Sequence, residues 1–385
     1  MLKTCIGHSD DVLPEDAIRR VIETCQVQLQ GQTPQAAVFF TSHMDCNHAL
    51  LLEAVQEAFP GVTLVGCTTD GEVSDHYGYA EDSMALLLLA SGGVEFSAGL
   101  GRRFSRRPEE AAIEARDMAL AGASSDPKLA VALPDGLSTI GVPVAQPLRR
   151  AFGDAFPIFG GTAGDHYTFK GTLQFFGTEV FTDALPVLTI GGDVLFSSGI
   201  RSGWRTVGER HAVTSCEGNV VHAVGDRSAV EFYRRYLGPS AHELPQFPLA
   251  VFEPDSDRYY LRDPLYFNDE DGSVTFVGTF PHGCEVMLAE AGRDEILEAS
   301  AAASRKALAD YPGASPELAL VFSCASRRQI LGLQTPKESR VLREEGPQGM
   351  ACFGFYTYGE IGPLRPNWAT RYHNDTYVVL ALGEG

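Results

Sequence analysis

Positive charge is scarce in this chain. Across 385 residues, 30 Lys and Arg stand against 50 Asp and Glu, a formal charge of −20. That balance excludes a nucleic-acid binder and a protein held on anionic membranes, since both need basic faces. The one dense basic cluster is Arg102, Arg103, Arg106 and Arg107, just ahead of Pro108-Glu109-Glu110, which read as a helix's first turn. A solvated loop is the plain account of it, and a docking patch for an acidic partner the sharper one. Long apolar runs are missing too: nothing approaches the roughly 18 residues that a membrane span needs. The start, Met1-Leu2-Lys3-Thr4-Cys5, lacks a signal-peptide pattern, so a cytoplasmic protein is expected. The 8 cysteines are scattered without a Cys-x-x-Cys pair, which argues against a structural zinc site and against covalently attached haem. They are expected to be free thiols, mostly buried.

The common catalytic signatures are absent as well. No His-Glu-x-x-His helix, Walker loop, Gly-x-Ser-x-Gly elbow or dinucleotide fingerprint occurs.

What is present is a pattern that occurs three times. Val65-Gly66-Cys67-Thr68-Thr69-Asp70-Gly71-Glu72 returns as Phe159-Gly160-Gly161-Thr162-Ala163-Gly164-Asp165 and again as Phe353-Gly354-Phe355-Tyr356-Thr357-Tyr358-Gly359-Glu360. Each copy follows an apolar run (37–40, 129–133, 318–322) and precedes another (84–89, 185–190, 377–382). The period is far longer than a solenoid's, so the pattern reads as a duplicated domain with diverged loops, a way for a ligand cavity to arise between similar units.

Helical spacing and punctuation predict helices over about 14–29, 47–59, 108–121, 228–236 and 294–309, with strands between them. Segments 187–190, 193–196 and 207–224 read as successive antiparallel strands, and a strand over 273–278 is expected to open the third unit. The stretch 248–276 reads as a degenerate fourth copy. The fold class is therefore α/β with mixed sheets and packed helices, built from repeated strand-helix-strand units in two lobes. The boundary is placed near residue 240, between residues 1–240 and 241–385.

Several residues carry candidate chemistry. Cys324 follows the strand over 318–322, and Arg327 and Arg328 would favour its thiolate, with His373 as base; a buried structural cysteine is the alternative. Glu72, Asp165 and Glu360 end the three loops and would either converge on a cavity or accept backbone hydrogen bonds, the latter for at least two of them. Gly160 to Gly164 would turn N–H groups toward an anion or form a tight turn. Trp368, Tyr372 and His373 would line a pocket with polar handles, or His373 would brace the last loop.

The first two motifs resemble the N-terminal FIST domain. Leu318 to Arg327, with Gly332, Glu338, Gly354 to Glu360 and His373-Asn374, resembles the C-terminal FIST domain. The resemblance implies a non-enzymatic sensor that binds a small ligand, such as an amino acid, and regulates a separate histidine kinase or cyclic-di-GMP enzyme. The chain is also similar to a stand-alone subgroup that carries haem b and senses nitric oxide. The ligand site implied comprises Cys324, Arg327, Tyr356, Glu360, Tyr372, His373 and Asn374, with Thr69 and Glu72 of the first loop. For haem, His373 is the first candidate axial ligand, then His211 and His282, with His166 beside the second loop. For an amino acid, Arg327 would take the carboxylate and Glu360 the ammonium. A cysteine-dependent enzyme using Cys324 and His373 is the remaining alternative.

Overall fold

A computed structural model describes residues 1–239, 247–253 and 256–385. The expected boundary near residue 240 lies outside the described residues.

The repeated unit is one strand-helix-strand-helix-strand frame, a β-hairpin and a closing strand. In the first unit, strand Lys3–Ser9 leads to helix α1 (Pro14–Leu29), strand Ala36–Thr41, helix α2 (His48–Ala58) and strand Thr63–Thr68. Hairpin Glu72–Ser74/Gly78–Ala80 and closing strand Met84–Ala90 follow. The second unit repeats this from Val94–Arg102 through helices α3 (Pro108–Ala121) and α4 (Ala145–Phe152) to Ala184–Gly192. The third opens with Val194–Arg201. It is then interrupted by an insert that carries helix α5 (Ala229–Leu237). It resumes at helix α6 (Arg293–Ala309), strand Leu318–Cys324, helices α7 (Ala325–Leu331) and α8 (Thr335–Glu345), strand Ala351–Thr357 and the closing strand Tyr377–Glu384.

Each unit forms a six-stranded sheet with one parallel pair at its centre, Ala36–Thr41 with Thr63–Thr68 in the first. The equivalent pairs are Pro127–Ala132 with Ile158–Gly161, and Leu318–Cys324 with Ala351–Thr357. The hairpins do not stay at home. The first unit's hairpin extends the third sheet at Ala351–Thr357. The second unit's hairpin, Gln174–Phe176/Glu179–Phe181, extends the first sheet. The third unit's hairpin, Glu360–Gly362/Arg371–His373, extends the second. The exchange is cyclic, so every sheet is completed by a neighbour.

Strand alternation sorts the side chains. Val38, Phe40, Leu129, Val131, Leu320 and Phe322 point into one core shared by all three sheets. Ala37 and Phe39 face α1 and α2, while Ala130 and Ala132 face α3 and α4. The helices obey local rules: α1 has Pro14 in its first turn with Glu15 and Asp16, and buries Ile18, Val21, Cys25 and Leu29 on one side. Ser228 and Glu231 close a capping box on α5.

The motif glycines have a steric cause. A Cβ at Gly66, Gly160 or Gly354 would come within 1.9, 2.0 and 2.0 Å of the carbonyl oxygen of Phe39, Ala132 and Val321 on the parallel neighbour. Only glycine lets the two central strands approach so closely.

The mixed α/β class, the repeated unit and the main helices match the sequence reading. Other expectations need correction. Ala184–Gly192 and Val194–Arg201 are consecutive but lie in different sheets. The third unit opens with Val194–Arg201, which pairs with Tyr377–Glu384, rather than with the strand near 273–278. That strand, Val274–Phe276, belongs to the insert, whose strand pairs are all antiparallel. The stretch 248–276 is thus no fourth copy, since the unit's parallel pair is missing from it. The insert's own core includes Val221, Phe232, Tyr233, Val251, Phe276 and Val286. Trp204, Phe252 and Leu261 seat it against Ile296 of α6 and Leu331 of α7.

Candidate functional site

The three motif loops meet and lock. The Asp70 N–H donates to Tyr356 O and the Tyr356 N–H to Gly71 O, both at 2.9 Å, joining loops one and three. The Thr162 N–H donates to Gly359 O at 2.9 Å and the Gly164 N–H to Thr68 O at 3.0 Å, joining loop two to the others. With the Ala163 N–H on Pro134 O and the Asp165 N–H on Tyr358 Oη, the N–H groups of 162–165 are all engaged. The anion-cradle reading of Gly160 to Gly164 therefore falls away.

The three loop acids have different fates. Glu72 is fully buried and accepts from the hydroxyls of Ser42 at 2.9 Å, Thr69 and Ser83. Burial raises its pKa to about 8 despite those donors. Asp165 is buried too, but its donors win. Against the desolvation cost, Tyr358 Oη, the Gly171 N–H, Thr168 Oγ1 and the Lys170 N–H hold its pKa below the usual carboxylate value. Glu360 accepts from the N–H and hydroxyl of Thr376 at 3.0 and 2.8 Å on one oxygen, and its Oε1 has no partner. Backbone N–H groups donate to Asp165 and to Glu360, as expected of loop acids, whereas hydroxyls hold Glu72.

Glu360 belongs to a second cluster, around Cys324. Cys324 ends its strand and caps α7 with extended backbone, which places its thiol at the sheet edge. A cavity of about 60 Å³ opens there between three parts of the chain. The second unit supplies Tyr167 and Phe169, the insert Asp263 and Leu265, and the third unit Ser326 and Tyr358. Tyr167, Phe169 and Tyr358 form a three-ring wall with centroids 5.4 to 5.7 Å apart, and Asp165 anchors it through Tyr358. The backbone behind the wall is strained: His166, Tyr167 and Phe169 have φ of 56°, 56° and 50°. Non-glycine residues pay for that left-handed conformation and hold it only where surroundings impose it.

The floor is acidic. The donor atoms of Asp263, Cys324 and Asp375 all lie within 4.8 Å of one another. Ser326 Oγ sits 3.0 Å from Cys324 Sγ and donates to Asp375 Oδ1 at 2.5 Å. Burial pushes the Asp375 carboxyl up to about 6, and raises Asp263, Glu360 and the Cys324 thiol well above their ordinary values. At Asp263 the neighbouring Asp375 carboxylate adds to the rise that burial causes. Asp263 Oδ1, Asp375 Oδ2, Glu360 Oε1 and both amide atoms of Asn374 are buried without a partner. Such groups are rare because each is costly, and the Glu360, Asp263 and Asp375 carboxylates are close enough to Cys324 to raise its pKa, so their convergence marks a site. Two carboxylates and a thiol are also the one metal-capable cluster among the described residues.

Arg327 does not join this site. It is fully buried with every donor engaged: Glu338, Ser300 Oγ and the carbonyls of Ile296, Ser202 and Asp375. It cannot offer a ligand carboxylate its fork, and it does not lower the Cys324 pKa. Tyr356 donates to Glu338 at 2.7 Å, in the same buried network. Thr69 serves Glu72. His373 is buried, its Nε2 engaged by Gly362 O at 2.9 Å, and burial lowers its pKa to about 4. It is thus the brace of the last loop, and burial keeps Cys324 a thiol. Tyr372 faces a different cleft, and Trp368 packs between Arg258 and Arg365.

Haem was the other expectation for this region. His373 and His211 lie off the cavity, with His211 Nε2 at 3.1 Å from Tyr236 Oη, and His282 is exposed. His166 Nε2 is 3.0 Å from Ser42 O. These residues do not fit a porphyrin, whose axial histidine must face an apolar cavity far larger than about 60 Å³.

Of the sequence candidates, Cys324 and Glu360 stay with the site. Asp263, Asp375, Ser326, Tyr167, Phe169 and Tyr358 were missed as site residues. Ser326 and Tyr358 stand inside quoted motifs and Asp375 directly follows one; Asp263 and the two aromatic residues had no local signal, because only folding brings them there.

Several known proteins are similar to this chain. Uncharacterized proteins of two Mycobacterium tuberculosis strains are 25% identical over 368 residues, covering 88% of this chain and 88% of theirs. An uncharacterized protein of Methanocaldococcus jannaschii is 32% identical over 123 residues, 30% of this chain and 23% of that one. Two cyanuric acid hydrolase structures, one from A. caulinodans, align at TM-scores of 0.36 and 0.34 with 9% and 10% identity, over 100% of this chain and 99% and 100% of theirs. Residues 35–227 match the FIST N domain and residues 229–363 the FIST C domain. This chain belongs to the FIST family, whose domains are sensory ligand-binding domains of signalling proteins.

Proposed function

We propose that the Cys324 cavity binds the ammonium group of a small ligand, an amino acid or simple amine, and that its occupancy regulates a separate histidine kinase or cyclic-di-GMP enzyme. One observation carries this reading: Asp263 lines the cavity with Asp375 close beside it, each with one buried oxygen that lacks a partner, next to a wall of three aromatic rings and with no arginine or lysine in the lining. Aromatic faces and carboxylates together are what an organic cation needs. The volume supports a head group of a few atoms rather than a large cofactor. The ligand would thus enter ammonium first, the reverse of a carboxylate clamped by Arg327. Three separate parts of the chain line the cavity, so a ligand that prefers one arrangement of them shifts their equilibrium by its differential affinity.

Titration of amines and amino acids against melting temperature tests it. A saturable rise is expected at pH 7.5 and a smaller one at pH 5, because below about 6 the Asp375 carboxyl is protonated and cannot pair with a cation. Asp375→Asn should weaken binding by about tenfold or more, the worth of a charge-assisted hydrogen bond. A panel without any binder, or an unchanged response in D375N, would sink the reading. An absorption spectrum after haem addition separates it from the gas-sensor alternative, which requires a stoichiometric Soret band. The regulatory half is checked by the kinase's autophosphorylation rate with and without the bound amine.

A further inference from the structure

The chain has two buried arginines, and they are treated differently. Arg327 is matched by Glu338. Arg262 is 7% exposed, yet no carboxylate lies within ion-pair distance of it among the described residues. Its Nε and Nη1 donate to the carbonyls of Thr279, Leu261 and Tyr372 at 2.9 to 3.4 Å, while Nη2 has no acceptor among the described residues. Tyr260 and Tyr372 flank the guanidinium at 4.4 and 5.8 Å from their centroids. Gly278, at φ +98°, leaves room for it; a Cβ there would come within 2.8 Å of Nε. A buried charge without a counter-ion is costly, and structures retain one where something completes it.

Arg262 lines an open cleft of about 580 Å³ between the insert, the third unit's hairpin and α4. Val144, Ala145 and Gln146 bring the first turn of α4 to this cleft, and no side chain caps that helix. Free N–H groups at a helix start favour negative charge. Arg149 and Arg371 stand on the rim, paired with Asp154 and with Glu253. Glu253, the one acid lining the cleft, is also held by Arg258.

We propose that this cleft is an oxyanion site, in which a carboxylate or phosphate group of a small molecule bonds to Arg262 Nη2 and the start of α4. It is distinct from the Cys324 cavity, although Arg262 and Asp263 are neighbours in the chain and line one each.

The test titrates sodium phosphate and sodium succinate against melting temperature at constant ionic strength, with sodium chloride as control. A saturable rise with either anion is expected: phosphate alone identifies a phosphoryl ligand, succinate alone a carboxylate. Arg262→Met should bind about tenfold more weakly or worse, without a lower melting temperature in the absence of anion, since it removes an uncompensated charge. D375N should respond to the anion like wild type, which keeps this outcome separate from the amine site. No saturable binding of either anion, or wild-type affinity in R262M, would overturn the proposal. If R262M does not fold, Arg149→Glu on the rim is read instead: binding weakened by about threefold or more supports the site, and unchanged binding overturns it.

Discussion

Glu72 lies buried among three hydroxyls with no cation beside it, and its pH behaviour follows. Its folded-state pKa, about 8, is above the unfolded value of 4.5. The folded state therefore holds the proton more tightly, and this contribution to stability is complete below pH 4.5 and lost as pH rises through 8. Asp375 adds the same sign between 3.8 and about 6. Melting temperature should fall between pH 5 and 8, and Glu72→Gln should flatten the slope by about 1.4 kcal/mol per pH unit at most. A slope unchanged in E72Q would show that other groups set it. Cys324 gives a second residue-scale expectation. Burial, with the Glu360, Asp263 and Asp375 carboxylates nearby, keeps it a thiol, so iodoacetamide should label it slowly at pH 7.5 and quickly in urea. Fast labelling of the folded protein would restore the nucleophile reading.

At the scale of elements, one buried network ties five of them together. Glu338 on α8 accepts from Ser300 on α6, Arg327 on α7, Ser323 on its strand and Tyr356 on the next. Arg327→Met leaves the Glu338 carboxylate buried without its cation, which costs about 3–5 kcal/mol. Adding Glu338→Gln should recover part of that, because a neutral amide still accepts from the hydroxyls. Urea denaturation measures both, and a single-variant cost under about 1 kcal/mol would contradict the account. Much of this was written locally: helices near 14–29 and 108–121 follow from Pro at the first turn and apolar spacing. Helices α4, α7 and α8 were not legible: α4 has only 8 residues, and α7 and α8 turn polar residues, Arg327 and Glu338, inward to a network.

For the whole molecule, the cyclic exchange of hairpins is the decisive feature. Strand Thr63–Thr68 of the first unit is covered by a hairpin from the second, and Ala351–Thr357 by one from the first. Removing a unit therefore bares a sheet edge in the next, along with its side of the common core. A fragment of residues 1–93 should be insoluble or unfolded by circular dichroism, and the intact frame should unfold in one transition. A folded, monomeric fragment would show that the exchange is dispensable.

Some of this protein was determined by its sequence alone. The repeat, the alternating apolar runs, the motif glycines and the family resemblance are local or periodic, and periodicity needs no partner to be read. The structural use of Asp165 was also within reach, since turn acids accept hydrogen bonds from their own loops. The site was not. Whether an arginine serves a ligand or a buried carboxylate depends on what stands opposite it, and Arg327 and Arg262 have the same side chain with different surroundings. Asp263 reaches Cys324 only because an insert folds back onto the third unit, and Tyr167 only because a second-unit loop does. Burial, pairing and partnerless atoms belong to those long-range contacts, so only the tertiary structure decided which candidates form a pocket.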